Sequence, residues 1–326
     1  YYDLFALSGS AIPQERMLKV GDPSGKICVM RPDSTTPIAR VAATKLRSMA
    51  LPQRLYYDQK VYRANPAHNG SSREIPQCGV ELIGAKGLKA DLEIIVTAID
   101  SLRSCGAPRF HVELGHAGFF RDLAARLDLD DGQEEEIRTL VEGKNFAALE
   151  RLSRLFGGTE VLAEAERLAG KTEAVDYLHA LYDELSAAGY GQYVRFDLGM
   201  VHQIDYYTGV VFRGYVEGAG DAVLSGGRYD ALVEIFGREA QATGFAVDVD
   251  AVARTLPETA LPQLRAVVHY EPGYLSQALE AVDGRPAGTC ELSPCRTLES
   301  SRNMAREKGA EMVLVFDKDG ERRVLV

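Results

Sequence analysis

The sequence predicts an α+β protein, in which an antiparallel sheet is interrupted by a helical insertion and followed by a small α/β module. Short apolar runs separated by turn residues fill the first part of the chain, as is typical of antiparallel strands. Apolar residues then follow a helical period from about residue 117 to residue 190, and strand and helix patterns alternate after residue 262. This order favours an α+β fold over a doubly wound sheet.

The first domain is predicted to span residues 1–256. Apolar spacing and turn residues predict strands at 26–30, 54–62, 79–84 and 109–114, a helix at 90–102, and the helical insertion at about 117–190. After the insertion we predict strands at 193–198, 210–215, 222–224 and 243–249, and short helices at 229–236 and 250–254. A proline-marked linker leads to a second domain at 263–326, with strands at 265–270 and 311–316 and helices at 275–282 and 298–308.

The composition is that of a globular chain with a large core. The 326 residues are 46% hydrophobic and 26% charged, with a net charge of −10, which disfavours a dedicated nucleic-acid-binding protein. Five scattered cysteines argue against a secreted disulfide framework, and Cys290 and Cys295 lack the partners of a metal site. We find no signal peptide and no apolar run of about 20 residues. We therefore expect a cytoplasmic protein without a membrane segment, with N-terminal sequence missing before Tyr1.

Four groups of polar residues lie in otherwise apolar strand contexts. They are residues 31–37, the set Tyr62, Arg63, Gln77 and Glu81, residues 205–209, and residues 225–230. Gln77 and Glu81 are four residues apart, so both face the same side of a continuous strand. A buried carboxylate needs a positive or donor partner. A ligand amine would serve for Glu81, and an ion pair with Arg63 or Arg73 is the structural alternative.

Other members of these groups have two interpretations each. Gly226 and Gly227 either allow the backbone to approach a ligand closely or form an ordinary hairpin turn. Tyr206 and Tyr207 either offer hydroxyl groups to a polar ligand or are core aromatics. His202 is either a base or a core imidazole.

In this order, the groups resemble the motifs of the histidyl-tRNA synthetase catalytic domain, a class II aminoacyl-tRNA synthetase fold. RPDSTTPIAR resembles the RPEGT stretch of that family, and VYRANPAHNGSSREIPQCGVELIG resembles its second class motif. QIDYYTGVVF resembles its second histidine-specific motif, GLDYYTGTVF, and GGRYDALV and GFAVDVDAV resemble the segments that lead into the third class motif. The matches span about residues 1–255, and they imply a class II synthetase-like antiparallel sheet with flanking helices.

The sequence departs from that family where a nucleotide would bind. Arg63 of the second motif is present, but the acidic residue expected two positions later is Asn65. The arginine expected three residues before Asp205 is His202, and the arginine of the third motif falls at Ala251. In the family these two arginines contact the substrate carboxylate and the ATP phosphates. The resemblance therefore implies that aminoacylation is lost, because phosphoryl chemistry depends on such cations.

The positions that hold the amino acid in the family are retained. By resemblance, histidine would be bound by Asp33, Thr35, Arg63, Gln77, Glu81, Tyr206 and Tyr207. The carboxylates can pair with the histidine ammonium group, and the tyrosine hydroxyls can meet an imidazole nitrogen. No residue is assigned a catalytic role, and we expect no metal and no cofactor, with L-histidine as a regulatory ligand.

A family of histidyl-tRNA synthetase paralogues shows the same combination, namely the regulatory subunits of ATP phosphoribosyltransferase. The resemblance implies a non-catalytic subunit that acts with a short-form catalytic subunit in the first step of histidine biosynthesis. It further implies feedback regulation by histidine, a homodimer within a hetero-octamer, and no tRNA binding. The alternatives are a histidine-activating class II synthetase and a stand-alone amino-acid sensor.

Overall fold

A computed structural model describes residues 2–6, 12–64, 72–126, 130–142, 172–200, 206–257 and 262–326. The chain divides into two compact units, Tyr1–Leu256 and Pro257–Val326. Asn65, His202, Asp205 and residues 143–171 of the predicted helical insertion lie outside the described residues. In the described part of the chain, no helix has both the length and the apolar character needed to cross a membrane.

A seven-stranded sheet is the centre of the first unit. After a small antiparallel pair, β1 (Lys19–Gly21) and β2 (Ile27–Val29), the chain forms β3 (Gln53–Tyr62), β4 (Glu74–Ile83), β5 (Phe110–His116), β6 (Val194–Phe196), β7 (Val210–Val216), β8 (Leu224–Arg228) and β9 (Ala242–Asp248). The strand order is β3-β4-β9-β8-β7-β5-β6, and every pair is antiparallel except β5 and β6. The predicted α+β fold with an antiparallel sheet is confirmed.

Helices precede and connect the strands of this sheet, and several of them pack against it. They are α1 (Asp3–Ala6), α2 (Thr35–Ala43), α3 (Leu88–Ser104), α4 (Ala117–Arg126), α5 (Asp131–Glu142), α6 (Glu173–Ala187), α7 (Ala231–Glu234) and α8 (Val249–Ala253). The apolar stripe of α3, which includes Ile95 and Ile99, and the leucines of α6, such as Leu181, are fully buried in one core with Leu82 of β4. Helix α6, although within the predicted insertion, is therefore part of the core of the first unit.

Strand β8 differs from the sequence prediction. We predicted a strand at 222–224 followed by a turn or ligand-approach segment, but β8 begins at Leu224 and continues through Gly226 and Gly227. The hairpin-turn interpretation of these glycines is wrong, because β8 lies between β7 and β9 and pairs with both. A Cβ atom on Gly226 would lie 2.6 Å from atoms of Phe212 and Phe245, so the close packing of this sheet requires glycine there.

The second unit is a four-stranded α/β module. It contains β10 (Ala266–Tyr270), α9 (Leu275–Asp283), β11 (Cys290–Leu292), α10 (Leu298–Glu307), β12 (Met312–Asp317) and β13 (Gly320–Leu325). The order is β11-β10-β12-β13, with β10 parallel to both of its neighbours. The two predicted strands and two predicted helices are confirmed. The sequence analysis missed β11, which has three residues, and β13, a largely exposed and charged edge strand.

Candidate functional site

One cavity of the first unit is lined by all seven residues selected from the sequence. Asp33 and Thr35 lie at the start of α2, Arg63 follows β3, Gln77 and Glu81 lie on β4, and Tyr206 and Tyr207 precede β7. Since side chains alternate along a strand, Gln77 and Glu81 point into the cavity while Val80 and Leu82 pack on the side of α3. The structure thus brings together four distant parts of the chain. The role of these residues in histidine binding stays a prediction.

Glu81 is the most buried polar group of the cavity, with 1% of its surface exposed. Its carboxylate accepts a hydrogen bond from the Thr35 hydroxyl at 2.7 Å and another from the Tyr229 hydroxyl. Among the described residues it makes no ion pair with Arg63 or Arg73, so the structural alternative for Glu81 is wrong. Burial raises the pKa of Glu81 to about 8, although the two hydrogen bonds lower this pKa. The buried position of Glu81 therefore favours the protonated carboxyl group at neutral pH.

Four tyrosines surround this carboxyl group. Tyr206 stacks on Tyr229 with ring centroids 5.5 Å apart. The rings of Tyr206 and Tyr207 form a T-shaped pair with centroids 4.9 Å apart. Burial raises the pKa of all four phenols, those of Tyr57, Tyr206, Tyr207 and Tyr229, and the nearby Glu81 carboxylate raises them further. The phenols thus keep their protons. Tyr229 donates a hydrogen bond to Glu81, and the hydroxyls of Tyr206 and Tyr207 can donate to a ligand or accept from it.

The carboxylate of Asp33 lines the cavity and also accepts hydrogen bonds from the start of α2. Its Oδ1 accepts from the backbone N–H of Thr36 at 2.8 Å, and its Oδ2 accepts from the Thr36 hydroxyl at 3.2 Å. These bonds satisfy a donor at the start of α2, where negative charge is favourable. The helix thus holds the carboxylate in place beside the cavity, which suits an ammonium group better than an anion.

Arg63 and Gln77 supply the remaining polar groups. Nε of Arg63 donates to the carbonyl oxygen of Pro32 at 3.0 Å. Burial lowers the pKa of Arg63 and the neighbouring Asp33 carboxylate raises it, and the guanidinium stays charged at neutral pH. The side-chain amide of Gln77, which is 8% exposed, has no hydrogen-bond partner among the described residues. Both groups are available to a ligand that carries a carboxylate and hydrogen-bond donors.

Tyr57, Tyr229 and Gly244 belong to the cavity although the sequence analysis did not select them. Gly244 pairs with Glu81 across β4 and β9, and a Cβ atom on it would overlap the Glu81 carboxylate. Tyr57 pairs with Gly79 in the same way, and its ring occupies the space of the missing side chain. These contacts depend on strand register, which no local pattern in the sequence specifies. Only Tyr229 carried a signal, because it lies in the polar segment 225–230.

A larger cleft of about 640 Å³ adjoins the cavity, and Arg63 lines both. Its charged residues are Arg16, Arg63, Glu74, Asp221, Asp248, Asp250 and Arg254. Ala251, where the sequence lacks the expected arginine, lines this cleft, and its backbone N–H donates to Asp248 at 2.9 Å. Among the described residues that line the cleft, four carboxylates stand against three guanidinium groups, a balance that is unfavourable for a polyphosphate. The described residues contain no cluster of histidine, cysteine and carboxylate side chains that could hold a metal ion.

The antiparallel sheet and its polar, tyrosine-lined cavity define a protein of the class II aminoacyl-tRNA synthetase type. The histidyl-tRNA synthetase family model matches residues 1–252. The ATP phosphoribosyltransferase regulatory subunit of Clostridium kluyveri is 42% identical, over 78% of this chain and 71% of its own. That of Clostridium botulinum (strain 657) is 36% identical, over 98% of this chain and 82% of its own. A crystal structure of an ATP phosphoribosyltransferase regulatory subunit/histidyl-tRNA synthetase from Bacillus halodurans superposes with a TM-score of 0.75 at 31% identity, covering 97% of this chain and 86% of that one. The chain belongs to the histidyl-tRNA synthetase-like family of ATP phosphoribosyltransferase regulatory subunits.

Proposed function

We propose that this chain is a non-catalytic regulatory subunit of ATP phosphoribosyltransferase and that its cavity binds L-histidine as the feedback ligand. One observation carries the proposal: seven residues selected by resemblance to histidine-binding positions line a single cavity. Family membership supports the regulatory role, since the relatives carry that name. The catalytic partner would be a short-form subunit, and the reaction would join ATP to phosphoribosyl pyrophosphate, a glycosyl transfer.

The chemistry of the cavity suits a zwitterion with a polar ring. The carboxylates of Asp33 and Glu81 would attract the ammonium group, and Arg63, at the boundary with the cleft, would attract the carboxylate. The imidazole nitrogens would then meet the hydroxyls of Tyr206 and Tyr207. An ammonium group near Glu81 would also stabilise the ionised carboxylate, which burial alone disfavours.

The adjoining cleft favours a binding role over a synthetase activity. A synthetase must neutralise the phosphates of ATP next to its amino acid. Here Asp248 and Asp250 lie beside Ala251 in the cleft. We propose that aminoacylation is lost and that neither a cofactor nor tRNA is needed, while the synthetase and the stand-alone sensor remain the alternatives to be tested.

Exposed apolar side chains support a homodimer formed through the sheet domain. Among the described residues of the first unit, most of the exposed large apolar side chains come from residues 20–56: Val20, Ile27, Met30, Val41, Met49, Leu51 and Tyr56. Tyr56 lies on the edge strand β3 and is 84% exposed. Exposed apolar surface of this kind is typical of an interface between chains. We propose a homodimer that assembles with the catalytic subunit into a cytoplasmic hetero-octamer.

The test is phosphoribosyl-ATP formation by the short-form catalytic subunit of the same organism, with and without this chain, and then with histidine. We expect this chain to raise the activity and histidine to lower it. Gln77→Leu should weaken inhibition by histidine, and Gln241→Leu, at an exposed glutamine outside the cavity, should not. Histidine-dependent exchange of pyrophosphate into ATP by this chain alone would favour the synthetase instead. No effect on the catalytic subunit would favour the stand-alone sensor.

A further inference from the structure

A buried ion pair lies next to the cavity without lining it. Arg228, the last residue of β8, is 7% exposed, and Asp91, in the first turn of α3, is 1% exposed. Nε and Nη2 of Arg228 donate to the Asp91 carboxylate at 2.7 to 3.2 Å, and Nη1 donates to Asp230 at 3.0 Å. Tyr177 of α6 donates its hydroxyl proton to Asp91 at 2.6 Å. Such charge-assisted, two-point contacts hold a side chain in one geometry.

The backbone of Arg228 connects the two segments that supply the cavity tyrosines. Its carbonyl oxygen accepts from the backbone N–H of Thr208 at 2.7 Å and from the Thr208 hydroxyl at 3.3 Å. Thr208 directly follows Tyr206 and Tyr207, and Tyr229 directly follows Arg228. A displacement of Arg228 therefore moves all three tyrosines relative to β4.

Close packing leaves these segments little room to compensate. A Cβ atom on Gly209 would lie 3.0 Å from the Arg228 side chain, so that side chain rests on the Gly209 backbone. A Cβ atom on Gly227 would lie 2.8 Å from the ring of Tyr207, which rests on the strand in the same way. In an interior packed this tightly, a change in one side chain is transmitted to its neighbours.

We propose that Arg228 and Asp91 are positioning residues for the amino-acid cavity, and that Tyr177 of α6 completes their arrangement. The proposal rests on the proposed function, because ligand affinity is the readout of correct positioning. It extends the site from the cavity wall to α3 and α6, which contribute no side chain to the cavity. A purely structural ion pair would affect stability and leave the affinity of the folded protein unchanged.

Calorimetric titration with L-histidine tests this with a mild variant. Tyr177→Phe keeps the ring and removes the hydroxyl that holds Asp91, and we expect the Kd for histidine to rise about fivefold. The matched control is Ile99→Val, at a fully buried position of the same core that does not line the cavity. It should lower the melting temperature and leave the Kd unchanged. An unchanged Kd in Tyr177→Phe, or an equal rise in both variants, overturns the proposal.

A second readout does not depend on the ligand. The chain contains no tryptophan, so its near-ultraviolet circular dichroism reports chiefly on the tyrosines. We expect folded Asp91→Asn in the Tyr177→Phe background, where the tyrosine that contacts Asp91 is absent, to lose part of the signal of Tyr177→Phe alone. The loss is expected because Tyr206, Tyr207 and Tyr229 lose their fixed arrangement. If the unaltered chain does not bind histidine, the proposed function fails, and this spectrum alone decides the positioning role. A changed spectrum then supports that role, and an unchanged one overturns it.

Discussion

Replacing Glu81 with glutamine should remove a pH dependence from the stability of the first unit. Burial raises the pKa of Glu81 to about 8 from its ordinary value of 4.5. Between these values the folded state keeps the Glu81 proton while the unfolded state has lost it. The free energy of unfolding of the unaltered protein therefore falls as pH rises through this window. Glutamine has nearly the same volume and cannot ionise, so the variant lacks this contribution.

The magnitude follows from the two pKa values. Their difference corresponds to about 5 kcal/mol in total, of which about 4 kcal/mol falls between pH 5 and pH 9. The free energy of unfolding of the unaltered protein, minus that of Glu81→Gln, should decrease by this amount over that range. Because two proteins are compared at each pH, the contributions of titrating groups that do not interact with Glu81 cancel.

Urea unfolding at pH 5, 7 and 9, followed by circular dichroism and tyrosine fluorescence, measures this difference. Glu93→Gln is the matched control on α3, where the hydrogen bond from Arg54 lowers the pKa of Glu93. The contribution of Glu93 to the free energy of unfolding depends on pH in the opposite direction. This contribution is present above the ordinary pKa of glutamate and is lost as pH falls. Glu93 is an exposed partner, so its effect should be small. If the difference in free energy of unfolding between the unaltered protein and Glu81→Gln stays constant with pH, the prediction is wrong, since Glu81 would then be ionised in the folded protein without ligand.

Histidine binding should reverse the protonation of Glu81. If the ligand ammonium pairs with the ionised carboxylate, binding at pH 7 releases about 0.9 proton from this group. Calorimetric titrations in two buffers with different ionisation enthalpies measure the released protons. The same titrations of Glu81→Gln measure the protons that are released by other groups of the protein and by histidine itself. Equal release by both proteins would show that the ammonium is held elsewhere.

Three further predictions concern the walls of the cavity. Gly244→Ala should lower the free energy of unfolding of the first unit by about 1–3 kcal/mol in urea unfolding, because the added methyl group overlaps Glu81. The control Gly21→Ala should leave the free energy of unfolding almost unchanged, because Gly21 has open space around it. Arg63→Gln should weaken binding of histidine in calorimetry and leave binding of histidinol, which lacks the carboxylate, unchanged. An equal loss for both ligands would contradict the role given to Arg63. Tyr229→Phe should raise the pKa of Glu81 further, because it removes a hydrogen bond that lowers this pKa. The pKa is measured from the dependence of the free energy of unfolding on pH, and a lower value than in the unaltered protein would contradict this prediction.

Local patterns in the sequence predicted most elements and the main cavity residues, and failed where the outcome depends on register. Gln77 and Glu81 were placed correctly on one face because the period of a strand fixes this for any register. Gly226 was assigned either to a hairpin turn or to a segment that approaches a ligand, since glycine is common in both settings. Only the pairing of β8 with β7 and β9 shows that Gly226 lies within a strand. The partners Tyr57 and Gly244 could not be found, because each is defined by the residue opposite it across a strand pair.

The arrangement of the cavity explains how a bound amino acid could act as a signal. A ligand that touched one segment would stabilise every arrangement of the chain equally and would shift no equilibrium. Here the ligand groups lie on the start of α2, on β4 and on the segment before β7, and Arg228 holds that last segment against α3. A histidine that bridges Asp33, Glu81 and Tyr207 would therefore bind most tightly to one relative placement of these elements. Its binding free energy would favour that placement over others, and this differential affinity is what feedback control of a partner subunit requires.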